Sequence, residues 1–328
     1  MSNGLAVIIH GGAGKLKREN ASKKLPVMQQ AVEGAWLALK QGKPGEFAVV
    51  QALRAMEESE YFNAGYGGYP NLNGVVLLDV GLMRGNLDYV SIVNARRIKY
   101  PSEIALEMLK DNKTLMTTWT HELMTELDDA ADFIKERYGH VQTHQELLSP
   151  YVEELLKDPQ AAEVAKIEKM GTVGCVVRDA NGKVYAGTST GGVSAKENGR
   201  IGDTPVIGSG VYADDEVGGF STTGHGESFL RTLVTGHVIS QMRSSLRSDP
   251  ALFSKDTNAL KKLVDLEMDE LVRRAQGRGA MIVIPVKGDP VYSYNSEMLS
   301  VATRFEDDRG DEKSDCRIAC AKDSDISL

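Results

Sequence analysis

Apolar and polar positions along the chain alternate between short continuous runs and amphipathic stretches. Leu5 to Ile9 is an unbroken apolar run, which predicts a buried strand delivering the glycine-rich turn His10-Gly11-Gly12-Ala13-Gly14. Helical spacing follows over roughly Lys24 to Gln41 and Glu46 to Glu58, and the second helix runs into a glycine-rich loop, Tyr61-Phe62-Asn63-Ala64-Gly65-Tyr66-Gly67-Gly68. Val75 to Met83 and Leu87 to Val93 predict paired strands that turn at Arg84-Gly85-Asn86. From Pro101 to about Tyr138 the spacing is helical. His140 to Lys169 is polar and free of glycine, which predicts either an exposed helix or a mobile linker over 140–170 whose cleavage would cost little core.

Past Gly171 the pattern changes. Thr172 to Arg178 and Lys183 to Thr188 flank Asp179-Ala180-Asn181-Gly182, the turn chemistry of a hairpin. Helices are expected from about Glu227 to Arg243 and from Thr257 to Arg274, then strands at Ala280 to Pro285 and Val291 to Tyr294, then a loose charged tail after Thr303. Strands cluster at both ends with helices between them. That order predicts an α+β architecture of sheet layers covered by helices rather than strict strand-helix alternation.

Composition narrows the function. The 328 residues, 41% of them hydrophobic, suffice for a large core, and the net charge of -8 comes without a basic run, so nucleic acid is not expected as a partner. The N-terminus has no positively charged region and only five apolar residues in a row, too few for a signal peptide or membrane span, so the expected address is cytoplasmic with no membrane contact. Three cysteines, Cys175, Cys316 and Cys320, fit a reducing compartment; the last two could share a helical turn, but with no histidine nearby they read as ordinary thiols.

The glycine loops do not read as nucleotide sites. His10 to Lys15 has Ile9 where a phosphate loop needs its first glycine and Leu16 where it needs Ser or Thr. Thr223-Gly224-His225-Gly226-Glu227 lacks both the third glycine and the strand-helix-strand setting of a dinucleotide fold. The histidines at 10, 121, 140, 144, 225 and 237 form no metal motif, and His140 and His144 are expected on solvated surface. Hydroxyl chemistry remains. A threonine can act without a histidine relay when its own α-amine, which titrates near 7.7–8.0, serves as base. Thr172 would gain that amine if the bond after Gly171 were cut. Gly171 could give the strained backbone such a cut needs, and the β-branch of Thr172 restricts its hydroxyl.

Four motifs carry a family likeness: Gly171-Thr-Val-Gly-Cys175, Thr188-Ser-Thr-Gly-Gly192, Gly199-Arg-Ile-Gly-Asp-Thr-Pro205 and Ser221-Thr-Thr-Gly-His-Gly-Glu227. With His-Gly-Gly-Ala-Gly at 10–14 and Tyr294-Asn-Ser-Glu-Met298, the chain resembles the plant-type L-asparaginases and isoaspartyl peptidases, N-terminal-nucleophile hydrolases. The resemblance implies a four-layer αββα sandwich, one domain over 1–328, cut into an α-subunit of 1–171 and a β-subunit of 172–328. It implies Thr172 as cleavage residue and nucleophile, Thr190 tuning its hydroxyl, Thr223 and Gly224 as oxyanion hole, and Asn63 holding a water or substrate group nearby. Arg200 would fork onto a substrate α-carboxylate while Asp203 takes the α-ammonium, with Gly226 beside them. His225 would line the site.

The same likeness implies a hydrolase for L-asparagine and β-aspartyl dipeptides, a homodimer of αβ pairs, no catalytic cofactor, and a structural sodium ion held by main-chain carbonyls of about Met56, Glu57, Glu60 and Phe62. Departures occur at Met170, Gly68, Gly81 and Arg84, where the family carries other residues. Alternatives are a glycosylasparaginase, an enzyme restricted to asparagine, or an unprocessed homologue that only binds ligands.

Overall fold

A computed structural model describes residues 4–15, 20, 22–110, 115–118, 121–157, 171–307, 309–321 and 324–327. Thirteen strands are formed: β1 (Ala6–Gly14), β2 (Leu78–Arg84), β3 (Tyr89–Ala95), β4 (Leu115–Thr118), β5 (Val173–Arg178), β6 (Val184–Thr190), β7 (Val211–Asp214), β8 (Gly218–Gly224), β9 (Gly279–Pro285), β10 (Val291–Tyr294), β11 (Met298–Glu306), β12 (Glu312–Cys320) and β13 (Ile326–Ser327). The principal helices are α1 (Leu25–Lys40), α2 (Gly45–Glu58), α3 (Pro101–Lys110), α4 (His121–Asp128), α5 (Asp132–Tyr138), α6 (Pro150–Lys157), α7 (Gly226–Thr232), α8 (Val234–Ser248), α9 (Leu252–Lys255) and α10 (Thr257–Ala275). The fold is mixed α/β.

Nine strands make one sheet in the order β13-β12-β11-β1-β5-β6-β2-β3-β4, and four make a second in the order β10-β9-β8-β7. Period-two alternation explains how they pack. In β1, Val7 and Ile9 join a cluster with Met28, Ala35 and Trp36 of α1 and Val49 and Leu53 of α2, whereas Ala6 and Ile8 join Val176, Ala213, Ile282 and Ile284. In β9, Met281 and Val283 turn the other way, into a cluster with Val238 and Met242 of α8 and Leu260, Val264 and Leu271 of α10. Each fully buried large side chain contributes about 1.5–3 kcal/mol, so these three clusters dominate the stabilising side of folding.

Several expectations change. The first strand does not stop at Ile9 but continues to Gly14, with a register shift between His10 and Ala13 that places Gly12 at φ 98°. The stretch after Pro101 is not helical throughout: β4 interrupts it and pairs parallel with β3. The helix expected from Glu227 to Arg243 is broken at Leu233, whose φ of 56° ends α7 and begins α8. The tail after Thr303 is not loose, since β11 pairs with β1 and β12 along its length. Cys316 and Cys320 consequently lie on a strand, not a helical turn, and all three cysteines are free. Residues 141–157 also pack: Leu147 and Val152 are buried and Tyr151 meets Tyr61 edge-on at 5.4 Å. The His140 side chain is fully buried, 3.2 Å from Asp128, which corrects its assignment to solvated surface; His144 is half-buried. Positions 158–170 of the expected linker, with Met170, lie outside the described residues.

Candidate active site

β5 places the hydroxyl in question. Thr172 immediately precedes it, and the antiparallel register Val173↔Ser189 sets Thr172 opposite Thr190, the last residue of β6. Thr172 Oγ1 donates to Thr190 Oγ1 at 3.0 Å, and Thr190 Oγ1 also accepts from the Gly192 N–H at 2.9 Å. Both threonines are buried.

The backbone of Thr172 is pinned from β1. Its carbonyl oxygen lies 3.0 Å from His10 Nδ1, and His10 Nε2 lies 2.8 Å from Ser221 Oγ. A carbonyl can only accept, so Nδ1 carries the proton and Nε2 accepts from Ser221. Burial pushes the imidazole down to about 3, which keeps this neutral tautomer in place at any physiological pH. Ser221 Oγ in turn lies 2.7 Å from Thr188 Oγ1. Gly174 makes room for this relay: a Cβ there would fall 2.0 Å from Ser221 Oγ and 2.2 Å from His10 Nε2.

Gly171 serves space rather than strain. It is not among the residues of positive φ, but a Cβ on it would meet Asn63 Cβ at 2.9 Å. Gly12 packs on its other side, and a Cβ on Gly12 would sit 2.6 Å from Gly171 Cα. Gly12→Ala should therefore cost at least about 1–3 kcal/mol from its φ alone and shift Gly171 away from Asn63. A urea midpoint and any chain cleavage equal to those of the parent would refute this.

One small pocket is lined by Gly171, Thr172, Thr190, Arg200, Asp203 and Gly224, together with Gly192, Val193 and Thr204. β8 supplies Thr223, fully buried with an Oγ1 that no described group bonds, and Gly224, at φ 152° with the Arg278 carbonyl 2.3 Å from where a Cβ would be. Gly226 opens α7 against the acid: its Cβ would lie 2.7 Å from Asp203 Oδ1.

Arg200 and Asp203 are not arranged quite as the sequence suggests. Glu227 takes one edge of the guanidinium, accepting from Nε at 2.8 Å and Nη2 at 2.9 Å, so a complete second fork is not on offer. Nη1 is left toward Gly192 and Gly202. Asp203 accepts from Thr222 Oγ1 at 2.9 Å, and burial pushes its carboxyl up to about 6. Asn63 also differs: its Nδ2 donates to the Gly192 carbonyl and its Oδ1 accepts from Tyr69 N–H, so the amide is bonded at both ends to main chain. His225 is half-exposed and bonded to Ser228 Oγ.

A model of the asparaginase family matches residues 3–312. The chain belongs to the asparaginase family. A probable isoaspartyl peptidase/L-asparaginase of Drosophila pseudoobscura is 32% identical over 307 residues, covering 90% of this chain and 91% of its own. The isoaspartyl peptidase/L-asparaginase of Danio rerio is 30% identical with 90% and 91% covered, and the isoaspartyl peptidase of Salmonella typhimurium 29% identical with 93% and 97% covered.

In this asparaginase-family chain the residues that sequence reading missed are His10, Ser221, Thr188 and Glu227. All four stand inside the glycine-rich motifs, but only the tertiary fold brings the first three together. Lys196 and Asp79 were also missed: they form a buried pair at 3.8 Å, with Lys196 Nζ bonded to the Leu77 carbonyl at 2.8 Å. Around the loop after α2, two glycines gather carbonyls. A Cβ on Gly65 would meet Glu57 O at 2.3 Å, and one on Gly67 would meet Phe62 O at 2.1 Å and Glu60 O at 2.9 Å. The Glu57 side chain is committed elsewhere, to Ser102 and Ser189, and burial pushes it up to about 7. Among the described residues no group of three or more His, Cys, Asp or Glu gathers to hold a metal, and no helix is long and apolar enough to cross a membrane.

Proposed function

We propose that this asparaginase-family hydrolase is made as a precursor, cleaves itself between Gly171 and Thr172, and then hydrolyses L-asparagine and β-aspartyl dipeptides with Thr172 as nucleophile. The observation that carries this reading is the 3.0 Å hydrogen bond from Thr172 Oγ1 to Thr190, on the wall of a pocket that also holds Arg200 and Asp203. The hydroxyl points its proton at Thr190, which leaves its lone pairs for a carbonyl carbon. After cleavage the freed α-amine accepts that proton, Thr172 attacks the side-chain carbonyl of the substrate, and ammonia or an amino acid leaves. Water then hydrolyses the β-aspartyl ester and releases aspartate.

The remaining residues have supporting roles in the proposal. The unbonded Thr223 hydroxyl and the Gly224 N–H stabilise the oxyanion. Arg200 meets the α-carboxylate through Nη1, and Asp203 takes the α-ammonium. Asn63 and His10 hold the backbone on either side of the bond that is cut. The alternating apolar clusters support an αββα sandwich, and β1 lying between β5 and β11 means both pieces would stay joined after cleavage. The carbonyls of Glu57, Glu60 and Phe62, near Met56, fit a structural sodium ion, which takes part in no step. A dimer of αβ pairs completes the assembly.

Intact-mass spectrometry of purified protein during incubation tests the processing step. Two pieces, the second beginning Thr-Val-Gly-Cys, are expected, with release of ammonia from asparagine following their appearance. Full turnover by a chain that stays intact would overturn the proposal.

A further inference from the structure

A second pocket, with a volume of about 510 Å³, opens beside the start of β2 and the end of β3. Its lining includes Asn71, Asn94, Arg96, His144 and Asn198, and Arg96 is the one formally charged residue among them. Volumes of this size are ordinary for small-ligand sites. Two buried polar atoms on its wall, Asn94 Oδ1 and His144 Nδ1, have no hydrogen-bond partner among the described residues. Such atoms are costly to bury unpaired.

Asn94 is held in an unusual conformation, at φ 55°, by its N–H donating to Asp79 Oδ1 at 2.8 Å. The three free contacts differ in sign. An arginine and an imidazole N–H favour a carboxylate, whereas an amide oxygen can only accept, so it favours an ammonium. Burial, then the guanidiniums of Arg96 and Arg97, keep His144 neutral, so the pocket carries one positive charge and no negative one.

We propose that this pocket is a second ligand site, separate from the one at Thr172, that takes a free α-amino acid: carboxylate on Arg96 and His144, ammonium on Asn94 Oδ1. It adjoins the first pocket through two routes. Asp79, which fixes Asn94, pairs with Lys196, whose Nζ lies 3.1 Å from the Cβ position of Gly192 on the Thr172 pocket. Asn198, bonded to Asn71 at 2.7 Å, stands two residues before Arg200. The existence of the site does not rest on Thr172 acting as nucleophile.

Calorimetric titration of the Thr172→Ala chain, which keeps both pockets without turnover, with L-aspartate and L-leucine tests this. Adding Arg200→Gln should remove one binding event and leave one. Arg96→Gln should weaken the one that remains tenfold or more. Asn94→Gly, which tolerates the positive φ, should weaken both amino acids but leave acetate binding at this site unchanged. The proposal fails if Arg200→Gln abolishes all binding, if Arg96→Gln changes no event, or if neither amino acid binds twice at millimolar concentration. Inorganic phosphate competing equally well would make this a plain anion site and overturn the amino-acid assignment.

Discussion

Thr172→Ala is expected to leave a single uncut chain with turnover at background. Removing the nucleophile of a hydrolase costs on the order of 10⁶ in kcat, and here the same substitution would also remove the group that cuts the chain. Folding should survive. Thr172 is a small residue, its carbonyl would still accept from His10, and Thr190 Oγ1 would keep the Gly192 N–H. Thr172→Ser offers the useful contrast, since it retains the hydroxyl but loses the methyl group that restricts χ1. It should cut more slowly than the parent and hydrolyse with reduced kcat. Mass spectrometry and ammonia release read both variants. A processed, active Thr172→Ala chain would remove Thr172 from the mechanism.

The nucleophile was legible because its chemistry is local. A glycine, a β-branched hydroxyl and an apolar strand stand side by side, and the hairpin behind them is announced by Asp179-Ala180-Asn181-Gly182. The structure gives the glycine another purpose, however. Gly171 is needed because Asn63 and Gly12 close on it from two sides, a fact set by residues more than 100 positions away. His10 illustrates the same limit. Its partners, Thr172 and Ser221, lie 162 and 211 positions along the chain, and nothing near His10 distinguishes a buried relay from a histidine at the head of a turn.

The C-terminal strands were hidden for a different reason. Glu312 to Arg317 is almost wholly polar and reads as a tail, yet β12 sits near the edge of the sheet, where charge is tolerated and ion pairs replace apolar contacts. Lys40 meets Glu306 at 2.7 Å and Glu312 at 3.0 Å, and Arg304 bridges Glu33 and Glu312. Periodicity found the central strands, such as β1 and β9, because they are buried on both faces. At Leu233 periodicity misled, because the apolar spacing runs through a residue whose backbone breaks the helix.

Asp203→Asn is expected to make the protein more stable while weakening its hold on substrate. The carboxyl is buried, and burial lifts it from 3.8 to about 6 although Thr222 and Arg200 oppose the rise. The folded chain therefore holds a proton that the unfolded chain has already lost between those values, and this contribution to stability disappears as pH rises through about 6. At about 1.4 kcal/mol per pH unit, ionised Asp203 costs the fold on the order of 3 kcal/mol at neutral pH and nothing below 3.8. Asparagine does not titrate, and its side-chain oxygen can still accept from Thr222 Oγ1. Urea unfolding should thus favour the variant at pH 7.5 and not at pH 3.5. Binding should move the other way. The loss of a charged partner for the substrate ammonium is worth about 1.5–3 kcal/mol, or roughly 10- to 150-fold in KM, with a smaller change in kcat. In the parent, KM should rise as pH falls below about 6, and in Asp203→Asn that dependence should flatten. A variant with unchanged KM, or one less stable than the parent at pH 7.5, would show that the buried charge is not held there for the substrate.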